Sequence, residues 1–85
     1  ERGLFRSGRL VRLRFLIPDR PGALATLLSA VARERSNVVS IEHDRLPPDC
    51  PLGYSTVVLL LETRDRAHGE ELVARLGEQG FRSTS

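Results

Sequence analysis

The sequence predicts an α+β sandwich, and three observations carry the prediction. Residues 10–17 alternate apolar and charged positions, as a half-buried strand does. Residues 24–32 repeat their apolar positions at helical spacing, and residues 57–61 form a short, wholly apolar run of strand length. Taken along the chain, the segments read strand, helix, strand, strand, helix, strand. That order fits a split β-α-β unit, the ferredoxin-like sandwich, with two helices on one face of a four-stranded antiparallel sheet.

Residues 1–9 scatter Arg2, Arg6 and Arg9 among glycine and serine without a sustained period, and read as a linker. In the first strand Val11, Leu13, Phe15 and Ile17 share one face, while Arg12 and Arg14 occupy the other. Residues 21–35 follow as a helix, with Leu24, Leu27, Leu28, Val31 and Ala32 in one apolar stripe. Residues 37–46 open with Val38, Val39 and Ile41 and turn polar at Glu42, His43, Asp44 and Arg45, as a strand at an exposed edge would. Pro47, Pro48 and Pro51 disfavour both helix and ladder pairing, so the segment around Asp49 and Cys50 is a connection.

The third strand covers residues 53–63. Its apolar run presents both faces to apolar surroundings, which places it at the centre of the sheet and requires a cover for its second face. Asp65 is placed to cap a second helix, with Glu70 and Glu71 in its early turns, Leu72, Val73 and Leu76 inward, and Gly80 at its end. Residues 81–85 complete the order as a short final strand.

Composition narrows the chemistry. All 13 basic residues are arginine, so the chain lacks the lysine that a pyridoxal phosphate Schiff base or a lysine-dependent nucleotide loop requires. Eleven acidic residues leave a formal net charge of only +2, spread along the chain, unlike the concentrated basic footprint of a nucleic-acid binder. Cys50 is the single cysteine, which precludes an internal disulfide and fits a reducing, cytoplasmic setting. No apolar run approaches the roughly 20 residues of a membrane span, and the first residues lack a signal-peptide core. A domain of this size buries only about 60 to 65 % of its unfolded surface, so a partner chain would strengthen it.

One segment suggests a ligand. Asp19, Arg20, Pro21, Gly22, Ala23 and Leu24 join the first strand to the first helix. Amides of a first helical turn have no partner inside the helix, proline early in a helix forfeits no useful bond, and Gly22 leaves room for close approach to the backbone. Together with the positive end of the helix dipole, these features suit a carboxylate or a phosphate. The same residues also fit an ordinary turn in which Asp19 caps the helix. His43 and His68 lack a usual metal-ligand spacing, and no nucleophile stands beside a base.

The string from Asp19 to Leu24, with Asn37 and Val38 at the far end of the helix, resembles the signature of the ACT domain, an amino-acid-binding regulatory module. The resemblance covers residues 10–85. A narrower likeness, carried by Gly3, Leu4, Gly8 to Leu10, His43 to Arg45, Leu61 to Arg64 and His68, is to the C-terminal ACT domains of threonine ammonia-lyases. The resemblance implies a free amino acid bound at an interface between two copies, against Asp19, Arg20, Pro21, Gly22, Ala23 and Leu24 of one and Asn37 and Val38 of the facing element. An asparagine amide both donates and accepts, which suits a zwitterion. It further implies a homodimer, an effector among isoleucine, valine, serine and threonine, and pyridoxal phosphate held in a separate catalytic domain that residues 1–9 would join to this one.

The chain departs from the family at Arg35-Ser36, where glycine usually ends the first helix. Two other functions share the fold order. An acylphosphatase-like enzyme would pair Arg20 with Asn37 on a phosphate, but the glycine-rich loop of those enzymes is missing. An RNA-recognition module would need stacking aromatics, and the first and third strands offer only Phe15 and Tyr54.

Overall fold

Strand β1 (Leu10–Pro18) realises the predicted alternation: Leu13, Phe15 and Ile17 are buried, while Arg12, Arg14 and Leu16 are exposed. Helix α1 (Ala23–Arg33), strands β2 (Asn37–Asp44) and β3 (Tyr54–Glu62), helix α2 (Arg66–Glu78) and strand β4 (Ser83–Thr84) follow in the expected order. The computed structural model describes residues 9–45 and 50–84; most of the linker reading at 1–9, and Pro47 and Pro48 of the connection, lie outside the described residues.

The sheet runs β2-β3-β1-β4, and every neighbouring pair is antiparallel. β3 is central, as its apolar run predicts. It pairs with β1 from Leu10↔Glu62 to Pro18↔Tyr54 and with β2 from Asn37↔Glu62 to Asp44↔Thr56. β2 is the edge strand, and a bulge at Val39 breaks its register between Val38 and Ser40.

Ser55, Val57, Leu59 and Leu61 of β3 face the helices and are fully buried. They meet Leu27, Ala30 and Val31 of α1 and Leu72 and Leu76 of α2 in one core. Each large apolar side chain removed from water there contributes about 1.5–3 kcal/mol before conformational entropy is subtracted. The opposite, outer face of β3 is only partly covered by the described residues: Cys50 and Pro51 border it beside Leu16 and Thr56, while Val58 and Leu60 are half-buried and Tyr54 is exposed.

Three local findings refine the sequence reading. α1 starts at Ala23 rather than Pro21, because Gly22 adopts φ 88° and places Pro21 in the preceding turn. Asp65 caps α2 as predicted, accepting the His68 amide at 2.8 Å, but the acidic residues at 70 and 71 fall beyond the first turn. The final strand is only two residues long. Phe81 instead closes α2: its amide reaches the Leu76 carbonyl at 2.8 Å and the Gly80 amide reaches Gly77 at 3.1 Å, with Gly80 at φ 95°.

His68 is a structural residue. Its Nδ1 accepts the Arg64 amide at 2.9 Å, so its Nε2–H donates to the Glu34 carbonyl at 2.7 Å. The neutral ring thereby ties the end of α1 to the start of α2.

The departure at the end of α1 has a conformational consequence. Arg35 is the sole non-glycine residue with positive φ among the described residues, at 61°, and its amide bonds to Ala32 at 3.0 Å. It occupies the left-handed position where glycine relieves the Cβ contact. Arg35→Gly is expected to raise the unfolding free energy by about 0.5–1 kcal/mol, measured by urea denaturation with an unchanged m-value.

Candidate functional site

The corner between β1 and α1 borders a cavity of about 330 Å³, lined by Ile17, Pro18, Asp19, Arg20, Pro21, Gly22, Ala23, Leu24, His43 and Arg45. The turn is knitted by backbone bonds: the Asp19 amide donates to Gly53 at 2.9 Å, Arg20 to Pro18 at 3.1 Å, and Ala23 to Arg20 at 3.2 Å. The Gly22 carbonyl accepts both the amide and the hydroxyl of Thr26, each at 2.9 Å. The Ala23 amide is thus consumed by the turn. The amides of Gly22, Leu24 and Ala25 have no backbone partner among the described residues, and they lie at the positive end of α1.

Asp19 does not cap the helix. α1 has no side-chain cap, and the Asp19 carboxylate turns instead to Arg45, with Nε at 2.9 Å and Nη2 at 3.4 Å. This contact raises the Arg45 guanidinium above its ordinary value, through the hydrogen bond first and the opposite charge second. His43, on the inner face of β2, places Nε2 3.0 Å from the buried Ser55 hydroxyl. The cavity wall therefore combines open amides, a carboxylate and two guanidiniums. Such a wall can receive an anion and a cation a few ångströms apart, as an amino acid presents them.

Asn37 and Val38 are not part of this corner within one chain. Asn37 pairs opposite Glu62, whereas the corner adjoins Pro18 opposite Tyr54. The eight steps from Tyr54 to Glu62 separate these ends by about 26 Å at 3.3 Å per residue. Val38 packs at the margin of the core. The same separation dismantles the Arg20 and Asn37 pairing that an acylphosphatase-like reading needs.

His43 and Arg45 are corner residues that motif reasoning missed. The signal was topological: in a split β-α-β unit the first two strands run parallel, so the polar end of β2 returns to the end of β1.

A larger cavity, about 440 Å³, lies at the far end of the molecule between Leu10, Val11, Thr63, Gly69 and Val73. It is lined also by Arg9, Asp65, Arg66 and Glu70, and it adjoins the start of α2, where the Asp65 carboxylate is already engaged by the His68 amide. The corner is the better candidate.

The ACT domain family matches residues 11–78, the greater part of the chain and the whole of the corner. This chain belongs to the ACT domain family. The ACT domain is also 41 % identical over 81 residues to L-threonine ammonia-lyase of Thermotoga maritima, and 38 % identical over 81 residues to that of Geobacter sulfurreducens. Each alignment takes in 95 % of this chain and 20 % of the relative, so the chain spans about one fifth of the length of these enzymes. The regulatory subunit of aspartate kinase from Thermus thermophilus has the same fold, with a TM-score of 0.64 at 18 % identity, covering 89 % of this chain and 48 % of that one. The ACT domain is a regulatory module, and among the described residues no cluster of His, Cys, Asp and Glu could hold a metal. No helix among those residues is long and apolar enough to cross a membrane.

The glycine in the ACT corner can be tested for its conformational role. A Cβ at Gly22 would meet nothing within 4 Å, so any loss in Gly22→Ala comes from the φ of 88° and not from a clash. The substitution is expected to cost about 1 kcal/mol or somewhat more, read as a lower urea midpoint with native far-ultraviolet circular dichroism.

Proposed function

We propose that this ACT domain binds a free amino acid between two copies of the chain and serves as the regulatory domain of a pyridoxal-phosphate-dependent threonine ammonia-lyase. The observation that carries the reading is the split of the candidate residues. The corner supplies open amides of Gly22 and Leu24 for a carboxylate and Asp19 for an ammonium group, while Asn37 stands at the opposite end of the sheet.

Edge pairing of β2 with its counterpart would unite them. β2 is an edge strand, and an antiparallel two-fold centred between Ser40 and Ile41 would set Asn37 of one copy opposite Asp44 of the other. Asp44 is adjacent to His43 and Arg45 in the corner wall. In that arrangement Asn37 comes to the end of the partner's β2 that borders its cavity, where an amide can serve either charged end of the ligand, with Arg20 beside the carboxylate.

The extent of the likeness to threonine ammonia-lyases supports the wider context. Residues 10–85 are the regulatory domain in this reading, residues 1–9 are the linker, and the cofactor belongs to a preceding catalytic domain because this chain has no lysine. The setting is cytoplasmic. Isoleucine, with valine opposing it, serine and threonine are the effectors to test. Binding would bias the attached enzyme by about 1–3 kcal/mol of coupling. A stand-alone amino-acid sensor uses the same site without that enzyme.

Thermal denaturation with the twenty amino acids and with inorganic phosphate checks the ligand class: one or a few amino acids are expected to stabilise the domain, by about 2.7 kcal/mol at 100 times the dissociation constant, and phosphate is not. Asp19→Ala and Asn37→Ala should each abolish binding in calorimetry. Mixing the two inactive variants should restore about a quarter of the sites, because half of the dimers are mixed and each carries one intact site. Failure of any amino acid to bind the unmodified chain would refute the ligand class, and failure of the mixture to recover would refute the shared site.

A further inference from the structure

We propose that His43 reads the side chain of the amino acid in the corner, and that the corner selects a β-hydroxy amino acid, threonine ahead of its hydroxyl-free isostere valine. The inference rests on the amino-acid reading above and specifies which member of that class the site takes.

The floor of the corner is built from three adjacent strands. Ile17 of β1 stands opposite Ser55 of β3, and His43 of β2 stands opposite Val57, the next inward-facing position of β3. Ile17 and Ser55 are buried. Ile17, Ser55 and His43 therefore form a row across the inner face of the sheet, apolar at one end and polar at the other. Leu24, in the first turn of α1, lines the same cavity as Ile17 and His43.

Ser55 fixes the ring of His43. A hydroxyl buried among apolar side chains needs a hydrogen-bond partner, and the ring supplies one, with Nε2 3.0 Å from Oγ. The histidine is thus tied to the core through one nitrogen, while the residue itself stays exposed in the cavity wall. The other nitrogen is available. Among the described residues Nδ1 of His43 has no hydrogen-bond partner.

The two nitrogens of a neutral imidazole take opposite roles. When Nε2 accepts from Ser55, Nδ1 carries the proton and donates; when Nε2–H donates to Ser55, Nδ1 accepts. A ligand hydroxyl both donates and accepts, so it is matched in either tautomer. An asparagine side chain could also do both, yet it brings no methyl group to the apolar end of the row.

The anchoring of the ligand decides which of its parts meets this row. With the carboxylate at the open amides of Gly22 and Leu24 and the ammonium group at Asp19, the side chain is the part left to face the floor. A branched side chain with one methyl and one hydroxyl then sets the methyl toward Ile17 and Leu24 and the hydroxyl toward His43. Threonine has both. Serine lacks the methyl, and valine sets a methyl against the one polar atom that the row offers, which a site built to bind a hydroxyl disfavours. Isoleucine carries the same mismatch with a longer branch.

Calorimetric titration of the unmodified chain with threonine, valine, serine and isoleucine tests the selection. Threonine is expected to be the tightest of the four, by about 3- to 10-fold over valine for one net hydrogen bond and by about 4-fold over serine for one covered methyl group. In His43→Phe, which keeps an aromatic ring without a polar atom, threonine and valine are expected to bind about equally. Because that change strands the Ser55 hydroxyl, His43→Phe combined with Ser55→Ala is the second variant, with the same expectation and with circular dichroism to check the fold. Valine binding the unmodified chain as tightly as threonine, or a threonine preference that survives in both variants, would overturn this inference and leave the amino-acid reading standing. Absence of binding by any amino acid would instead remove that reading, and this inference with it.

Discussion

The register of β1 on β3 fixes almost everything else in this domain. The nine pairs from Leu10↔Glu62 to Pro18↔Tyr54 decide which side chains enter the core, which charges face outward, and where along the sheet the corner lies. A slip of one residue would turn Phe15 and Ile17 outward and bring Arg14 under the helices, at a cost far above the domain's margin of stability. Because β2 hangs on the other margin of β3 with its own fixed register, the positions of Asn37 and Arg45 relative to the corner follow from the same constraint.

At the corner, backbone conformation and charge act together. The left-handed turn at Gly22 ends the strand-to-helix connection so that the Ala23 amide folds back on Arg20, while the neighbouring amides stay open. A small ligand can therefore meet donors that the fold itself leaves unpaired, in a region where the helix dipole favours negative charge. The Asp19 and Arg45 pair holds the end of β2 against this turn. An ammonium group that takes Asp19 must compete with Arg45, which places the edge strand in direct contact with whatever occupies the corner.

How much of this was legible in the sequence differs by level. Element order and core were readable because alternation in β1 and the apolar stripe of α1 are strong, uninterrupted patterns, and Asp65 and Gly80 marked the limits of α2 by ordinary capping chemistry. The start of α1 was displaced because a proline-glycine pair fits either a first helical turn or the turn before it, and only the φ of Gly22 decides. The six corner residues were readable as a contiguous string. His43 and Arg45 were not, since their place in the wall depends on the return of β2, and the alternative in which Asp19 caps the helix could not be set aside because the competing Arg45 lies 26 residues away.

The incompleteness of the isolated chain is the point on which fold and function meet. Asn37 cannot approach its own corner without breaking the pairing of β2 with β3, which also holds Val38 against the core. A site that needs both must therefore take its second half from another molecule. The outer face of β3 poses a similar demand in apolar terms, since Val58 and Leu60 are only half-buried by the described residues. In a domain of 85 residues, where a single core leaves little stability to spare, surfaces that are both functional and stabilising when paired answer two requirements with one interaction. With the shared site proposed above, ligand and partner would favour the same assembled state, and an amino acid bound between copies would act on assembly by mass action alone, before any change of shape within the fold is invoked.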